Sequence, residues 1–434
     1  MGSVTGFKIS GWSQLAEVFP GLKTIAELEQ KGELELRLYQ ILATLSIIFS
    51  GFRGVVRSAT GSGKTLIAAA ISGAMLPKKT LVLIHGKELV SQTYKAFCFF
   101  LGKENVGVIT SEEFSPGKIT VASIDTFGFY LGSVPTKRNG VPVMNPTKFE
   151  EIHEKFVKYL ENDVDMLMFD EVHHGSADTW QEVGKRSRAF YRVGLSGTPL
   201  KHDELSDMLM MSLVGPVVFD LSAPWLQKHG YLAQAELNIK YLDFTTPANR
   251  ILSWQEARKK LLVQNKERTT KIAEDIVNAI NEKRTRLLVL TGNSVELAED
   301  LLEEVEALAR PLTRQLGFKP YTMISGAMNA KKVSRAFEDL RKGNVRCVIT
   351  TKLADEGIDV PDINLLYLVG GGKAYVATVQ RIGRGLRVKD DEDTLLVVDY
   401  FTMGNKYLEK HDRARLKTYE KEDFFKEVRL INAP

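Results

Sequence analysis

The sequence predicts an α/β protein made of two tandem, doubly wound parallel-sheet domains. Short strands rich in Val, Ile and Leu alternate with amphipathic helices, and this alternation occurs twice along the 434 residues. A chain of this length exceeds one ordinary core, and its hydrophobic content of 44% suits two domains. A glycine-rich segment, residues 59–65, lies between an apolar run and an apolar helix pattern, as a loop between a strand and a helix of such a domain does.

The predicted strands fall into two series. The first series comprises 80–85, 119–123, 166–169 and 191–195, and the second comprises 286–291, 321–324, 346–350, 365–369 and 394–399. Residues 221–235 separate them and contain Pro224, Trp225 and the turn-like Lys228-His229-Gly230, so we interpret this segment as a linker. The predicted organisation is a short N-terminal segment packed on the first domain (1–32), the first domain (33–220), the linker, and a second domain with a C-terminal helix (236–434).

One connection in the first domain, residues 128–165, is longer than two neighbouring elements need. Residues 134–143 indicate a basic hairpin with Asn139-Gly140 at its tip, and 148–160 form an amphipathic helix pattern.

Composition excludes several classes of protein. The apolar stretch 41–52 is interrupted by Thr44, Ser46 and Ser50, so it predicts a core helix and not a membrane span. Two cysteines argue against a disulfide framework or zinc site, and a net charge of +4 neither requires nor excludes nucleic acid. We expect a cytoplasmic protein without a signal peptide.

Residues 59–65, Ala-Thr-Gly-Ser-Gly-Lys-Thr, indicate a phosphate-binding loop at a helix N-terminus. Backbone amides of such a loop face an anion, Lys64 reaches the β and γ phosphates, and the Thr65 hydroxyl holds magnesium. The strict pattern has Gly at position 58, where this chain has Ser58. The remaining loop residues assigned to the nucleotide are Thr60, Gly61, Ser62 and Gly63.

The apolar strand 166–169 delivers two carboxylates, Asp170 and Glu171, at its C-terminal end. We assign magnesium binding to Asp170 and activation of the attacking water to Glu171. A second cluster, 380–387, places Arg384 and Arg387 one helical turn apart, where both could neutralise charge on a γ-phosphate. The expected cofactors are ATP and Mg2+.

The ordered set of motifs from 37 to 387 resembles superfamily 2 helicases and translocases. The resemblance implies RecA-like domains with a nucleotide cleft between them, and it extends the candidate site. It assigns adenine recognition to Arg37 and Gln40, nucleotide contacts to Gly357 and Asp359, catalysis to Gln380, and coupling of hydrolysis to domain movement to His173, His174, Ser196 and Thr198.

Other motifs resemble the family segments that contact nucleic acid, mainly through the sugar-phosphate backbone. With the predicted hairpin, they give these candidate contacts: Lys87, Ser123, Thr126, Arg138, Thr291, Ser325, Gly326 and Thr351. We consider two roles for the insertion 128–165 that contains the hairpin: a wedge that contacts a nucleic-acid junction, or a surface decoration. The Asp-Glu-Val-His-His motif and the Ser-Gly-Thr-Pro motif differ from DEAD-box RNA helicases, and therefore favour DNA.

Within the superfamily the chain looks most like the UvsW-type recombination helicases of phages, a group similar to XPB and to restriction-enzyme translocases. The resemblance implies ATP-driven translocation on single-stranded and branched duplex DNA, with branch migration of forks and Holliday junctions. We expect a monomer without a membrane partner, and recombination or replication proteins are candidate partners. If the protein is phage-encoded, we expect it in the host cytoplasm. An RNA helicase and a double-strand translocase motor subunit remain alternatives.

Overall fold

The computed structural model describes most of the chain, and the structural statements below concern those residues alone. They are 11–35, 37–59, 61–132, 137–138, 141–142, 146–172, 178–197, 204–231, 235–292, 294–325, 328, 330–351, 363–371, 394–421 and 425–432. The chain divides into two compact units, Met1–Ser222 and Ala223–Pro434. We describe each by itself.

The first unit alternates strands and helices. Its helices are α1 (Trp12–Val18), α2 (Lys23–Gln30), α3 (Leu38–Phe49), α4 (Lys64–Ala74), α5 (Lys87–Leu101), α6 (Ile124–Tyr130), α7 (Pro146–Asn162), α8 (Asp178–Arg186) and α9 (Glu204–Val214). Its strands are β1 (Arg53–Ser58), β2 (Thr80–Ile84), β3 (Val106–Ile109), β4 (Phe114–Ser115), β5 (Ile119–Ser123), β6 (Lys137–Arg138), β7 (Val141–Pro142), β8 (Met166–Asp170), β9 (Tyr191–Ser196) and β10 (Val217–Leu221).

Eight of these strands form one sheet in the order β10-β1-β9-β8-β2-β5-β3-β4. Its strand pairs are parallel except β3 with β4. Alternate residues of a strand enter different cores: Leu167 and Phe169 lie in one apolar cluster, while Met166 and Met168 lie in the other. Both faces are therefore covered, as expected of a doubly wound sheet.

The N-terminal residues pack on this sheet's helical layer. Trp12 and Leu22 are fully buried in the cluster that also contains Ile67 and Ile71 of α4. The contact is so close that a Cβ on Gly21 would lie 2.1 Å from the Gly73 carbonyl oxygen. The segment before α3 thus contributes to the core of the first unit.

The second unit is also an α/β structure. Its helices are α10 (Ala223–Lys228), α11 (Pro247–Arg250), α12 (Trp254–Ala257) continued by a π-helical turn (Arg258–Val263), α13 (Lys266–Asn281), α14 (Val295–Leu308), α15 (Arg310–Leu316), α16 (Ala330–Lys342) and α17 (Lys406–Lys421). Its strands are β11 (Ala235–Asp243), β12 (Leu287–Leu290), β13 (Tyr321–Ile324), β14 (Cys347–Thr350), β15 (Leu365–Leu368), β16 (Leu395–Met403) and β17 (Phe425–Ile431).

The seven strands of this unit form a parallel sheet in the order β13-β14-β12-β15-β16-β11-β17. A core of buried side chains from α13, α14 and the central strands covers it, including Ile272, Leu301 and Val289, each fully buried. The predicted fold class, two parallel-sheet α/β domains, is confirmed.

Every strand in the two predicted series is present, with ends shifted by a few residues at most. The core helix predicted at 41–52 is α3, and the predicted hairpin is present as β6 and β7, paired antiparallel. Strands β10 and β11 flank the segment interpreted as a linker, and α10 lies within it. Among the described helices, none combines the length and apolar character needed to cross a membrane.

Candidate functional site

The phosphate loop joins the carboxyl end of β1 to the first turn of α4, as the sequence predicts. Gly61 and Gly63 have φ angles of +84° and +81°, in the left-handed region that glycine tolerates. A Cβ at Gly63 would also lie 2.3 Å from Nε2 of Gln40. Glycine at 63 therefore suits the left-handed backbone and leaves room for the Gln40 side chain.

The carbonyl oxygen of Ser62 holds this loop against α3. Oη of Tyr39 and Nε2 of Gln40 each donate a hydrogen bond to it, both at 2.9 Å. Gln40 is 3% exposed, and its Oε1 is a buried acceptor without a hydrogen-bond partner among the described residues. Such an acceptor beside a phosphate loop fits an exocyclic amino donor such as that of adenine. Arg37 lies beside them, with Nη1 3.3 Å from Oη of Tyr39.

Two buried hydroxyl groups form a hydrogen bond between the end of β1 and the phosphate loop. Oγ of Ser58 donates to Oγ of Ser62 at 2.5 Å, and both residues are fully buried. The sequence marked Ser58 only as a departure from the usual glycine, and the role of Tyr39 was also missed. Neither could be found from spacing alone, because both contacts depend on the path of the folded loop.

Lys64 and Glu171 form the centre of the candidate site. Nζ of Lys64 lies 2.5 Å from Oε1 of Glu171, with 13% and 30% of the two side chains exposed. Oγ of Ser196 donates to the other carboxylate oxygen at 3.4 Å. Glu171 has a φ of +52°, an unusual conformation for a non-glycine residue and one that clusters at functional sites. The structure thus brings together three residues that the sequence assigned separately to nucleotide binding, catalysis and coupling.

Sheet order explains this convergence. Strands β1, β9 and β8 are neighbours, so the residues after them meet at the carboxyl edge of the sheet, where α/β proteins bind ligands. Asp170 ends β8, and its Oδ1 accepts a hydrogen bond from the backbone amide of Glu171 at 3.1 Å. Thr65 is exposed in the first turn of α4.

These residues fit ATP and Mg2+. A helix N-terminus, two left-handed glycines and a lysine suit phosphate groups, and the unpartnered Oε1 of Gln40 suits a base. Among the described residues, no group of three or more His, Cys, Asp or Glu side chains could hold a metal alone. A hydroxyl and one carboxylate, from Thr65 and Asp170, are typical of magnesium that is completed by phosphate and water.

The hydroxyls predicted to contact nucleic acid are mostly buried. Ser123 is 1% exposed, Thr126 6%, Thr291 1% and Thr351 5%, while Ser325 is half-buried. The Thr291 hydroxyl lies 3.3 Å from the Ser294 carbonyl and 3.4 Å from that of Thr350. The hydroxyls are buried because these residues end core strands or begin the helix that follows, and their contacts with nucleic acid stay predictions. A direct bond from Thr291 Oγ1 to a phosphate would require those carbonyl contacts to open.

Several predicted site residues lie outside the described part of the chain. They are Thr60, His173, His174, Thr198, Gly326, Gly357, Asp359, Gln380, Arg384 and Arg387. Lys87 and Arg138 belong to α5 and β6, but their side chains are not among those described. The roles assigned to these residues stay predictions.

Two protein families match this chain in sequence order. Residues 33–201 match the family described as "Type III restriction enzyme, res subunit", and residues 269–389 match the "Helicase conserved C-terminal domain". The chain is a superfamily 2 helicase. The phosphate loop and Glu171 of this helicase lie in the first match, and the predicted arginine cluster lies in the second.

Several curated relatives of the helicase bear the name XPB. It is 26% identical to the DNA 3'-5' translocase XPB2 of Sulfurisphaera tokodaii, over 85% of this chain and 82% of the relative. It is 25% identical to the DNA 3'-5' helicase XPB of Kineococcus radiotolerans, over 88% of this chain and 62% of that one. These matches support the XPB-like part of the resemblance, and the UvsW-type assignment stays a prediction.

Solved structures agree with the fold. The helicase domain of Hef from Pyrococcus furiosus superposes with a TM-score of 0.56 at 16% identity, covering 88% of this chain and 98% of that one. At this level of identity the likeness shows a shared architecture of two RecA-like domains.

Proposed function

We propose that this helicase is an ATP-driven motor on DNA that remodels branched molecules such as forks and Holliday junctions. The observation that carries the ATPase assignment is the convergence of Lys64, Glu171 and Ser196 beside a phosphate loop. The branched substrate is a finer statement, supported by the resemblance of the motifs to recombination helicases.

The candidate site residues of the first unit then have defined chemical roles. Bound ATP with Mg2+ supplies the phosphoryl group and the cation that neutralises its charge. The loop amides and Lys64 bind phosphate, and Thr65 and Asp170 hold the metal. Glu171 accepts the proton of the attacking water, while Ser196 keeps the carboxylate oriented.

The second unit is proposed to supply Gln380, Arg384 and Arg387 as cationic and polar groups for the transition state. Adenine recognition by Arg37 and Gln40, and nucleotide contacts by Gly357 and Asp359, belong to the same proposal. In this proposal the two RecA-like domains enclose a nucleotide cleft, and binding and hydrolysis alternately close and open it.

DNA is the proposed track because the curated XPB relatives bear the names DNA 3'-5' translocase and DNA 3'-5' helicase. We propose the same 3'-5' direction for this chain. The word translocase in the first name also favours a second candidate function, movement along duplex DNA without strand separation. A triplex-displacement assay reports such movement, whereas a strand-displacement assay reports unwinding.

The deciding experiment measures steady-state ATP hydrolysis without nucleic acid and with single-stranded DNA, duplex DNA, a four-way junction and matched RNA. We expect the greatest stimulation with the junction. Glu171→Gln should lower the DNA-stimulated rate at least 100-fold, in the range typical of lost acid-base and electrostatic catalysis, and should leave ATP binding intact. Glu182→Gln is the matched control, because Glu182 is a half-buried glutamate on α8 that is paired with Arg186.

Greater stimulation by RNA than by any DNA would contradict the DNA assignment. Equal stimulation by junction and linear duplex would contradict the branched substrate while leaving the ATPase in place.

We further propose that the hairpin β6–β7 acts as a wedge at a DNA junction. The helix that follows the hairpin, α7, is packed on α6: the ring centroid of Phe156 lies 4.7 Å from that of Tyr130 and 5.0 Å from that of Phe127. A pair of strands that precedes an anchored helix in the chain suits an element that separates base pairs. A surface decoration is the alternative role.

Deleting 135–142 tests the wedge. We expect strand displacement or branch migration to fall at least tenfold while DNA-stimulated ATP hydrolysis changes less than twofold. Lys137→Ala with Arg138→Ala, which keeps the hairpin, separates the effect of its charge from that of its shape. Equal losses of unwinding and ATP hydrolysis in the deletion would rule out a wedge.

A further inference from the structure

Among the residues that the structure describes, strand β17 forms an exposed edge of its sheet. It pairs on one side with β11 and is the last strand in the sheet order. Its five central residues are all exposed, with Val428 at 39% and Leu430 at 52%. The opposite edge strand of the same sheet, β13, has only four residues and is more buried. A seven-residue edge leaves a row of backbone amides and carbonyls that can pair with another strand.

Two of the three charged residues on β17 do not protect this edge in the usual way. Edge strands are commonly guarded by charges that repel a second strand. Here Glu427 and Arg429, two residues apart and on the same face, form an ion pair of 2.6 Å with side chains 47% and 57% exposed. The pair carries no net charge, so a second strand with the same pair is not repelled.

The order of residues makes β17 complementary to itself. An antiparallel pairing with a two-fold axis at Val428 sets Glu427 of each copy opposite Arg429 of the other, and Val428 opposite Val428. One face then carries four charges of alternating sign. Further out, Lys426 faces Leu430, and Phe425 faces Ile431.

The central residues of this pairing have regular geometry. The irregularity in the β11–β17 ladder lies between Ala235 and Glu236, whereas Glu427, Val428 and Arg429 pair in order with residues 236–238. A strand held in register on one side presents its other edge at regular spacing.

We propose that β17 is a homodimerisation surface, at which two copies of the chain pair antiparallel and join their second-unit sheets into one. This inference goes beyond the proposed motor activity and does not depend on it. The contact is a single pair of seven-residue strands, about 23 Å long. It buries much less surface than a standard protein–protein interface of about 1,600 Å², so the dimer is weak and concentration-dependent. The monomer expected from the sequence is then the dilute state.

Sedimentation equilibrium of the full-length chain over a concentration series tests the proposal. We expect the wild type to dimerise, and Glu427→Arg or Arg429→Glu alone to weaken dimerisation at least tenfold, because each sets four like charges together. The double variant Glu427→Arg/Arg429→Glu restores the alternation and should dimerise like the wild type. An equimolar mixture of the two single variants should form a heterodimer.

The matched control is Glu338→Lys on α16, which reverses one charge of an exposed ion pair with Lys342 and should leave dimerisation unchanged. Thermal unfolding checks that each variant is folded. A wild type that stays monomeric at every concentration overturns the proposal. A dimer that survives both single swaps also overturns it, because another surface must then form the contact.

Discussion

The hydroxyl of Ser58 has a defined role in the phosphate loop although the usual residue there has no side chain. Its hydrogen bond of 2.5 Å to Oγ of Ser62 ties the end of β1 to the loop's middle. Together with the bonds from Tyr39 and Gln40 to the Ser62 carbonyl, it fixes Ser62 at both its side chain and its backbone. A loop fixed in this way is pre-organised for phosphate.

Ser58→Ala tests this role at the level of one bond. A loop that is less ordered before binding must be ordered by the nucleotide, so we expect KM for ATP to rise about three- to tenfold, the value of one hydrogen bond of about 1 kcal/mol. The turnover number should change little. Steady-state ATP hydrolysis with saturating DNA measures both.

The control for this prediction is Ser72→Ala, which removes another buried hydroxyl bond, 2.8 Å to the Ala68 carbonyl, within α4. It should cost similar stability without changing KM. An unchanged KM in Ser58→Ala would show that the loop does not depend on the hydroxyl pair.

At the scale of secondary-structure elements, α17 is fastened to β16 by buried charges. Arg415 bonds Asp399 at 2.9 Å and Asp412 at 2.9 Å, and Oδ2 of Asp412 accepts from the backbone amide of Thr402 at 3.0 Å. Burial raises the pKa of Asp412 to about 7, although Arg415 opposes the change. This carboxyl group therefore binds its proton more tightly in the folded state than in the unfolded chain.

This pKa predicts a pH dependence of stability. The unfolded carboxyl loses its proton near its usual pKa of 3.8, whereas the folded one keeps it to about pH 7, so unfolding releases a proton between these values and stability falls as pH rises. Between pH 5 and pH 8, we expect the wild type to lose roughly 2 kcal/mol more free energy of unfolding than Asp412→Asn.

Urea unfolding at a series of pH values measures this difference. Asparagine does not ionise, so the difference between the two pH dependences isolates the titration of Asp412. Parallel curves for the two proteins would mean that Asp412 has the same pKa in both states.

The sequence predicted elements well where apolar residues are continuous, as in the strands of both central sheets. Continuous runs such as 166–169 are buried on both faces, and no other element type explains them as well. Sequence reasoning did not predict β17, because a strand with exposed charges on both faces has no alternating apolar pattern. In the site, the glycines and Lys64 follow from local spacing, whereas the meeting of Ser196 with Glu171 depends on strand order.

At the scale of the whole molecule, the predicted catalytic residues are divided between the two units. Lys64 and Glu171 belong to the first, and Arg384 belongs to the second. If ATP hydrolysis needs the residues of both units, Arg384→Ala should lower the DNA-stimulated hydrolysis rate at least 100-fold. Loss of an arginine finger lowers the turnover number about 10³- to 10⁵-fold. The dissociation constant for ATP should change less than tenfold.

Nucleotide binding measured by fluorescence titration and ATP hydrolysis measured on the same preparation separate these effects. Arg413→Ala is the matched control, because Arg413 is an exposed arginine on α17. Equal loss in both arginine variants would indicate a general effect of charge and not a role in hydrolysis.

The strand order of the second unit also bears on how the protein is made. Strand β11 is the first of its sheet to leave the ribosome, yet its two neighbours, β16 and β17, are the last. At about 5–20 residues per second, translation delivers those partners roughly 10–40 s later. During that interval β11 has neither of its partner strands, so its edges are open to chaperones or to incorrect pairing. The second unit can complete its sheet only after synthesis has passed residue 431.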